Sequence, residues 1–358
     1  MFSQDQYRAL REGCGLVDRF DRGRVRLTGQ DRRGYLQGLL TNDIAALSPG
    51  TGCYACLLTA QGRMIADMYV VETGDEILLD VEGKSAPRVT AHLEQFIFSE
   101  DVQVAEQSGS LAQIGVFGPS APAIVSPVLG ASDASTSIDR LQRMKPLENR
   151  SAIWAESSVL IVARDDLGVP GFDLLIDRTG ANELAEALRA AGAIDVDAAV
   201  ADVCRVEAGR PVFYKDMDEE TIPLEAGIED RAISLTKGCY VGQEIIIRVL
   251  HRGHGRVARR LVGLTLDSGA RVPQHGDSIR FGERDIGRIT SAVFSPALGR
   301  PIALGYVHRD FTSPGTEVTA VADAAGQPAV VTKLPFVKTG VSVAAATRPP
   351  DLDRHPSS

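Results

Sequence analysis

The sequence has little of what marks several large classes of protein. Among 358 residues there are five cysteines and one tryptophan, and aromatic residues make up 5%. So few cysteines argue against a small scaffold held by disulfides, and we interpret them as reduced thiols. No apolar run approaches the roughly 20 residues that a membrane-spanning helix needs, and the first residues lack the basic and apolar parts of an export signal. These absences predict a cytoplasmic globular protein with no membrane partner.

Excess positive charge and the common catalytic motifs are also missing. The 38 Lys and Arg residues are outnumbered by 47 Asp and Glu residues, which gives a net charge of −9 and makes direct nucleic-acid binding unexpected. There is no P-loop, no G-x-S-x-G elbow and no H-E-x-x-H pair. Cys53 and Cys56 have C-x-x-C spacing, but within a strand this spacing sends the two side chains to opposite faces. We therefore predict no metal site.

Strands precede helices in the first two thirds of the chain, which is typical of an α+β fold. Strand-like runs at 53–59 and 64–71 flank a turn and predict a hairpin, and apolar residues at helical spacing predict a helix over 85–98. A second set of strands begins with 111–117. It is followed by helical patterns, among them one over 196–208.

The pattern changes after residue 257, where short strands follow one another at short intervals. Such spacing predicts a separate, small β-barrel. We expect residues 1–250 to form two intertwined α+β lobes and residues 256–345 to form the barrel. The polar, proline-bearing segment 346–358 is predicted to be a disordered tail.

Segment 237–244 reads Lys-Gly-Cys-Tyr-Val-Gly-Gln-Glu and is followed by an apolar helical pattern. Cys239 is thus expected just ahead of a helix N-terminus, where the helix dipole and the charge of Lys237 would favour a nucleophilic thiolate. We consider both residues candidates for a catalytic role. The alternative is a small buried thiol in a packed turn.

This octapeptide resembles the K-G-C-Y/F-x-G-Q-E signature of the YgfZ folate-binding family, which is related to the glycine-cleavage T-protein, an aminomethyltransferase. Segment 205–209, Arg-Val-Glu-Ala-Gly, resembles a helix end of both families, and segments 41–44, 61–67 and 222–227 are similar to further motifs. The resemblance implies a T-protein-like α+β fold, with three lobes around a central folate cavity and a small C-terminal β-barrel.

The resemblance also implies a function. The protein would bind tetrahydrofolate or a one-carbon derivative and, through a reactive Cys239, assist the synthesis or repair of iron–sulfur enzymes, one of which serves tRNA modification. Two alternatives stay open, a tetrahydrofolate-dependent aminomethyltransferase or related one-carbon transferase, and a folate-binding adaptor. T-proteins generally lack this cysteine, and their paired aspartates are here Ala66 and Asp67. Classical aminomethyltransferase activity is therefore not expected.

Glu207 is the predicted pterin ligand. Three valines between 196 and 203 form an apolar stripe at helical spacing, and Glu207 continues that face, so its side chain is expected to point inward. A pterin presents an amino group beside a ring N–H, which one carboxylate can accept together. The resemblance implies the same contact. The alternative is an exposed acid that pairs with a neighbouring arginine.

Five further residues are candidates for the site. The resemblance implies that Asp67 assists one-carbon transfer, although an acid here could instead cap or pair near a strand. Asn42 and Asp43 either line the folate cavity or form an Asx turn. Tyr214 and Arg252 belong to segments that fit the family and are predicted to contact folate.

Overall fold

Two β-sheets and a closed barrel organise the chain. The computed structural model describes residues 2–130, 136–251, 256–321 and 326–338. The strands are β1 (Gly15–Asp18), β2 (Arg22–Thr28), β3 (Thr51–Leu58), β4 (Met64–Glu72), β5 (Ile77–Glu82), β6 (Gln103–Glu106), β7 (Leu111–Phe117), β8 (Asn149–Trp154), β9 (Ser157–Arg164), β10 (Gly171–Asp177), β11 (Ile194–Val196), β12 (Arg259–Leu266), β13 (Ser278–Phe281), β14 (Arg284–Ser295), β15 (Arg300–His308), β16 (Glu317–Val321) and β17 (Gln327–Thr332). The helices are α1 (Gln4–Glu12), α2 (Arg32–Leu39), α3 (Ala86–Glu94), α4 (Ala121–Val128), α5 (Ile138–Gln142), α6 (Ala181–Ala190), α7 (Ala198–Glu207), α8 (Pro223–Ala226), α9 (Glu229–Ala232) and α10 (Gln243–His251).

The first sheet has the strand order β3-β4-β5-β2-β6. Its apolar face packs against α2 and α3, which contribute the buried Leu36 and Leu93 to the shared core. The predicted hairpin is confirmed as β3 and β4. The predicted helix over 85–98 is confirmed as α3 but ends at Glu94, and Phe96 and Ile97 pack on the same core from the turn that follows.

The second sheet has the strand order β11-β1-β7-β10-β9-β8. Strand β1 precedes the whole first sheet along the chain and yet pairs with β7 and β11 of the second sheet. Helix α7 follows β11 directly, and its buried residues Val200 and Cys204 pack against Leu10 of α1 and Phe117 of β7. This packing brings the amino-terminal helix next to the helix that carries Glu207.

The C-terminal strands close into a six-stranded barrel with the order β12-β15-β14-β13-β16-β17. Alternate residues point inward and fill the barrel with small and branched apolar side chains, among them Leu264, Ile289 and Val331. The predicted α+β fold with a small C-terminal β-barrel is therefore confirmed. The predicted tail, 346–358, lies outside the described residues.

The β3–β4 hairpin separates two environments because successive side chains of a strand point to opposite faces. Ala55 and Met68 face the core beneath the first sheet. Tyr54 and Cys56 face the other side, where Cys56 joins a separate buried cluster. Cys53 packs on the first core, so the two cysteines of the C-x-x-C segment lie on opposite faces as predicted, and both are free thiols.

Within the described ranges, no helix is both long enough and apolar enough to cross a bilayer.

Candidate functional site

A cavity of about 180 Å³ lies where the hairpin and β2 and β5 of the first sheet meet α7, the 166–167 loop and residues 210–213. We call it the central cavity. Residues from both α+β sets of strands form its wall. Its polar lining residues are Arg19, Arg22, Tyr54, Asp67, Tyr69, Glu82, Asp166, Asp202, Arg205, Arg210 and Arg231.

Asp67 is the predicted site residue that the structure places in this cavity. It lies on β4 opposite Cys56 of β3, and the hydroxyl of Tyr54, on the same face of the hairpin, donates a 2.6 Å hydrogen bond to its Oδ2. Burial raises the pKa of the Asp67 carboxyl, while the Tyr54 hydrogen bond and the charges of Arg22 and Arg231 oppose the rise. A carboxyl in this state can exchange a proton nearer to neutral pH than an ordinary aspartate can.

Ala66, which the resemblance places at the first aspartate of the T-protein pair, points away from the central cavity. It is fully buried in the apolar core beneath the first sheet. Because neighbouring residues of a strand face opposite sides, only one residue of such a pair can face the cavity from this strand. Here that residue is Asp67, so the alanine removes no carboxylate from the cavity.

Arg231 brings a cation to the same wall. Its guanidinium carbon lies 4.9 Å from the centre of the Tyr54 ring. Among the described residues, no carboxylate oxygen lies within 4.0 Å of this guanidinium, in contrast to most arginines of the cavity. Tyr69 offers a second ring 5.1 Å from that of Tyr54. The wall therefore combines two aromatic rings, the Asp67 carboxyl and the Arg231 guanidinium, which forms no ion pair with the described residues.

A buried network of charges ties the two sheets together at the cavity wall and beside it. Arg164 of β9 reaches Asp80 of β5 at 2.9 Å and Asp173 of β10 at 3.2 Å. Arg19 binds Asp166 at 2.8 Å. Although burial opposes the charged form, the guanidiniums of Arg19 and Arg164 hold the pKa of Asp166 well below its usual range. Asp80 and Asp166 thus pair with arginines that lower the pKa of each carboxyl, which distinguishes these two acids from Asp67.

Glu207 is fully buried at the end of α7, but it does not line the central cavity. Tyr7 of α1 donates to its carboxylate at 2.8 Å, Ser295 of β14 donates at 2.5 Å, and Arg11 of α1 forms an ion pair with it. The cavity is lined by another face of α7, which carries Ala201 and Arg205. The apolar stripe that predicted an inward-facing acid is real, but it faces α1 and the barrel. The pterin contact of Glu207 stays a prediction.

Neither Lys237 nor Cys239 lines the central cavity, and the two residues differ in burial. The ammonium of Lys237 is buried and donates to backbone carbonyls, and burial lowers its pKa to about 8. Cys239 is exposed, and α10 begins only at Gln243. Gly242 holds a φ of +83°, and a Cβ there would lie 2.5 Å from the Thr59 carbonyl, so this signature glycine is required for packing against the hairpin turn.

Asn42, Asp43 and Tyr214 do not line the central cavity either. The Asn42 amide donates to backbone carbonyls, and Asp43 accepts from the side chain of Gln37 at 3.0 Å. Tyr214 lines a larger groove of about 890 Å³ between the barrel and residues 214–225. Arg252 lies outside the described residues. Their predicted contacts with folate stay predictions.

Sequence reasoning did not single out Tyr54 or Arg231. For Tyr54 a signal was present, because a polar aromatic residue at the alternate position of an otherwise apolar strand shares the face of Asp67 across the hairpin. Arg231 lies in α9, 164 residues along the chain from Asp67. No local pattern links the two residues.

Comparison with known proteins identifies what the chain is similar to. Residues 1–237 match a family model described as the GCVT N-terminal domain, and residues 259–338 match one described as the glycine cleavage T-protein C-terminal barrel domain. The chain is 31% identical to an aminomethyltransferase of Rubrobacter xylanophilus, covering 93% of this chain and 86% of that protein. It is 29% identical to one of a Nostoc species, covering 93% and 87%.

The fold is also similar to a solved structure, that of glycine cleavage system aminomethyltransferase T from Bartonella henselae. The TM-score is 0.83 at 22% identity, covering 94% of this chain and 89% of that one. Family aminomethyltransferases use tetrahydrofolate as the one-carbon acceptor, so the predicted cofactor is confirmed for the family.

One expectation is wrong. The predicted main function, assistance to iron–sulfur enzymes through a reactive Cys239, is contradicted because relatives that match over most of the chain are named aminomethyltransferase. Those names favour the alternative that the sequence left open. The expectation rested on an eight-residue signature, whereas the similarity to proteins named aminomethyltransferase extends over more than 330 residues.

Proposed function

We propose that this chain, which belongs to the glycine cleavage T-protein family, is a tetrahydrofolate-dependent aminomethyltransferase or a closely related one-carbon transferase. The observation that carries the proposal is the Asp67 carboxyl, which has a raised pKa and lies in the central cavity against Tyr54 and Arg231. Membership of the YgfZ branch and a cytoplasmic location stay predictions.

The central cavity suits the pterin end of a folate. At about 180 Å³ it is smaller than the roughly 300–1,000 Å³ of sites that enclose a whole drug-sized ligand, so it would take the ring system and leave the tail outside. Tyr54 and Tyr69 offer faces for a flat ring. The Asp67 carboxylate can accept from ring N–H groups, and the guanidinium of Arg231 can donate to a carbonyl or carboxylate.

Tetrahydrofolate, when bound, supplies the amine nitrogens that accept the one-carbon unit. The protein supplies a proton acceptor, the Asp67 carboxyl, whose pKa burial raises above that of an ordinary aspartate, and it holds the reacting parts in place. Asp67 takes up or releases a proton, and Tyr54 fixes the orientation of its carboxylate by donating to Oδ2. The buried charges around Arg164 anchor the wall, since that guanidinium stacks 3.6 Å from the centre of the Tyr69 ring.

The direct test is transfer by the purified protein. Mixed with tetrahydrofolate and a lipoyl carrier protein loaded with an aminomethyl group, it should form methylene-tetrahydrofolate and release ammonia, both of which can be measured. Calorimetry with tetrahydrofolate alone should show binding. Binding without transfer would favour the adaptor alternative, and absence of both would remove the proposal.

Replacing Tyr54 with Phe is expected to shift the pH dependence of transfer. The Tyr54 hydroxyl lowers the pKa of Asp67, so its removal raises that pKa. If the carboxylate form of Asp67 is the active one, the fall in transfer rate on acidification will occur at a higher pH in Tyr54→Phe than in wild type. The measurement is kcat/KM against pH. Tyr35→Phe is the control, because the Tyr35 hydroxyl donates to the Leu93 carbonyl of α3, away from the cavity. An unmoved acid limb in Tyr54→Phe would contradict the role.

Replacing Cys239 with Ser is expected to change transfer by less than about twofold, as for most exposed positions away from a site. Cys239 is exposed and does not line the central cavity. The same transfer assay measures this effect. A loss of tenfold or more would return the thiol to the mechanism.

A further inference from the structure

Lys237 is a buried lysine, and within the part of the chain that the structure describes its ammonium donates hydrogen bonds to backbone carbonyls alone. It donates to the carbonyls of Gln37 and Leu40, each at 2.6 Å, and of Asn42 at 3.0 Å. These carbonyls lie in the last turn of α2 and just beyond it, where helix carbonyls lack intrahelical partners and a cation is favoured. Lys237 therefore caps the C-terminal end of α2, although it lies about 200 residues further along the chain.

The turn that Lys237 holds is joined to two parts of the cavity wall. The side-chain amide of Asn42 donates to the backbone carbonyl of Tyr54 at 2.8 Å and to that of Arg231 at 2.9 Å. Next to it, the hydroxyl of Thr41 accepts from the backbone N–H of Cys56 at 2.8 Å. One amide thus links the backbones of the two residues that flank the Asp67 carboxyl.

We propose that Lys237 is a positioning residue of the transfer site: its ammonium holds the 40–43 turn so that Asn42 keeps Tyr54 and Arg231 in register beside Asp67. The inference rests on the proposed function. It gives Lys237 and Asn42 a role in the site without contact to folate or to the reacting atoms.

The connection is short enough to affect chemistry. Only one residue, Asn42, stands between the Lys237 ammonium and the backbone of Tyr54. Displacement of reacting groups by about 1 Å can cost up to 100-fold in rate. Because part of the turn would still be held by Thr41 and the sheet, we expect a loss of about tenfold in kcat, with a smaller effect on KM for tetrahydrofolate.

The test compares Lys237→Met and Asn42→Ala with wild type. Asn42→Ala removes the bridging amide without changing charge, and it decides the question if Lys237→Met does not fold. Arg32→Met is the matched control, because Arg32 also donates to backbone carbonyls, those of Gly29 and Gly74, but at the opposite end of α2. The readouts are the melting temperature, kcat and KM for transfer, and the pKa of Asp67 from ¹³C NMR of its carboxyl.

Both test variants should raise the Asp67 pKa, because a displaced Tyr54 hydroxyl no longer lowers it. Lys237→Arg should recover part of kcat. Arg32→Met should lower the melting temperature and leave the Asp67 pKa unmoved. If Lys237→Met and Asn42→Ala match Arg32→Met in kcat and in the Asp67 pKa, the positioning role is overturned. If wild type itself transfers nothing, the proposed function fails, and the NMR titration still decides the positioning role.

Discussion

Asp67→Asn is expected to reduce kcat/KM for one-carbon transfer by about 10²- to 10⁴-fold, the range that a positioned acid or base contributes. The amide keeps the shape of the side chain and can still accept from Tyr54, but it cannot take up a proton. Transfer to tetrahydrofolate from a loaded lipoyl carrier is the measurement. Calorimetric affinity for tetrahydrofolate should change far less than the rate.

The same variant is expected to be at least as stable as wild type at pH 7. Burial raises the pKa of Asp67 in the folded protein above its unfolded value, so the folded state binds more protons between the two values. The stability contributed by this carboxyl is thus present below the unfolded pKa and is lost as pH rises through the folded pKa. Asparagine carries no charge at any pH and so avoids this loss of stability. The free energy of unfolding at pH 7, from urea titration, measures the difference between the two proteins.

Asp202→Asn provides the comparison within the same cavity. Burial opposes ionisation of Asp202, but Arg205 and Lys215 outweigh it and lower its pKa. Asp202 is therefore a paired acid with a lowered pKa, and its replacement should cost less activity and more stability than the replacement of Asp67. Equal losses of activity in the two variants would show that cavity charge, and not proton transfer at Asp67, limits the rate.

The local parts of this site were predictable from sequence. Strand alternation places residues 54, 67 and 69 on one face of a hairpin and Ala66 on the other. It also explains why the missing aspartate at position 66 was a poor argument against transfer activity. The barrel was predictable for the same reason, because its strands are short, regular and joined by turns.

The long-range parts were not predictable, because residues far apart in the chain complete them. Helical spacing correctly indicated that Glu207 is inward-facing, but its donors come from positions 7, 11 and 295. Likewise, Lys237 was expected to influence the neighbouring thiol, and its ammonium instead binds carbonyls near residue 40. A periodic pattern shows which face is buried and contains no information on what covers it.

Glu207→Ala is expected to lower the free energy of unfolding by about 3–5 kcal/mol, the usual cost of breaking a buried ion pair from one side. The substitution leaves the Arg11 guanidinium buried without its counterion, since the two side chains are 5% and 0% exposed. It also removes the acceptor of Tyr7 and Ser295, which join α1 and the barrel to α7. Urea unfolding measures the loss.

Glu207→Gln separates the scaffold role from the predicted pterin contact. The amide retains one acceptor oxygen for Tyr7 or Ser295, so it should lose less stability than alanine, and Arg11→Met in the same background should recover part of the loss by removing the unpaired charge. If Glu207 acts only through this packing, the folded variants will bind tetrahydrofolate with a Kd within about threefold of the wild-type value, a difference of less than about 1 kcal/mol in binding free energy. If affinity collapses in Glu207→Gln while the fold is intact, Glu207 must leave Tyr7 and Ser295 to bind the pterin, and the amino-terminal helix must then move with ligand.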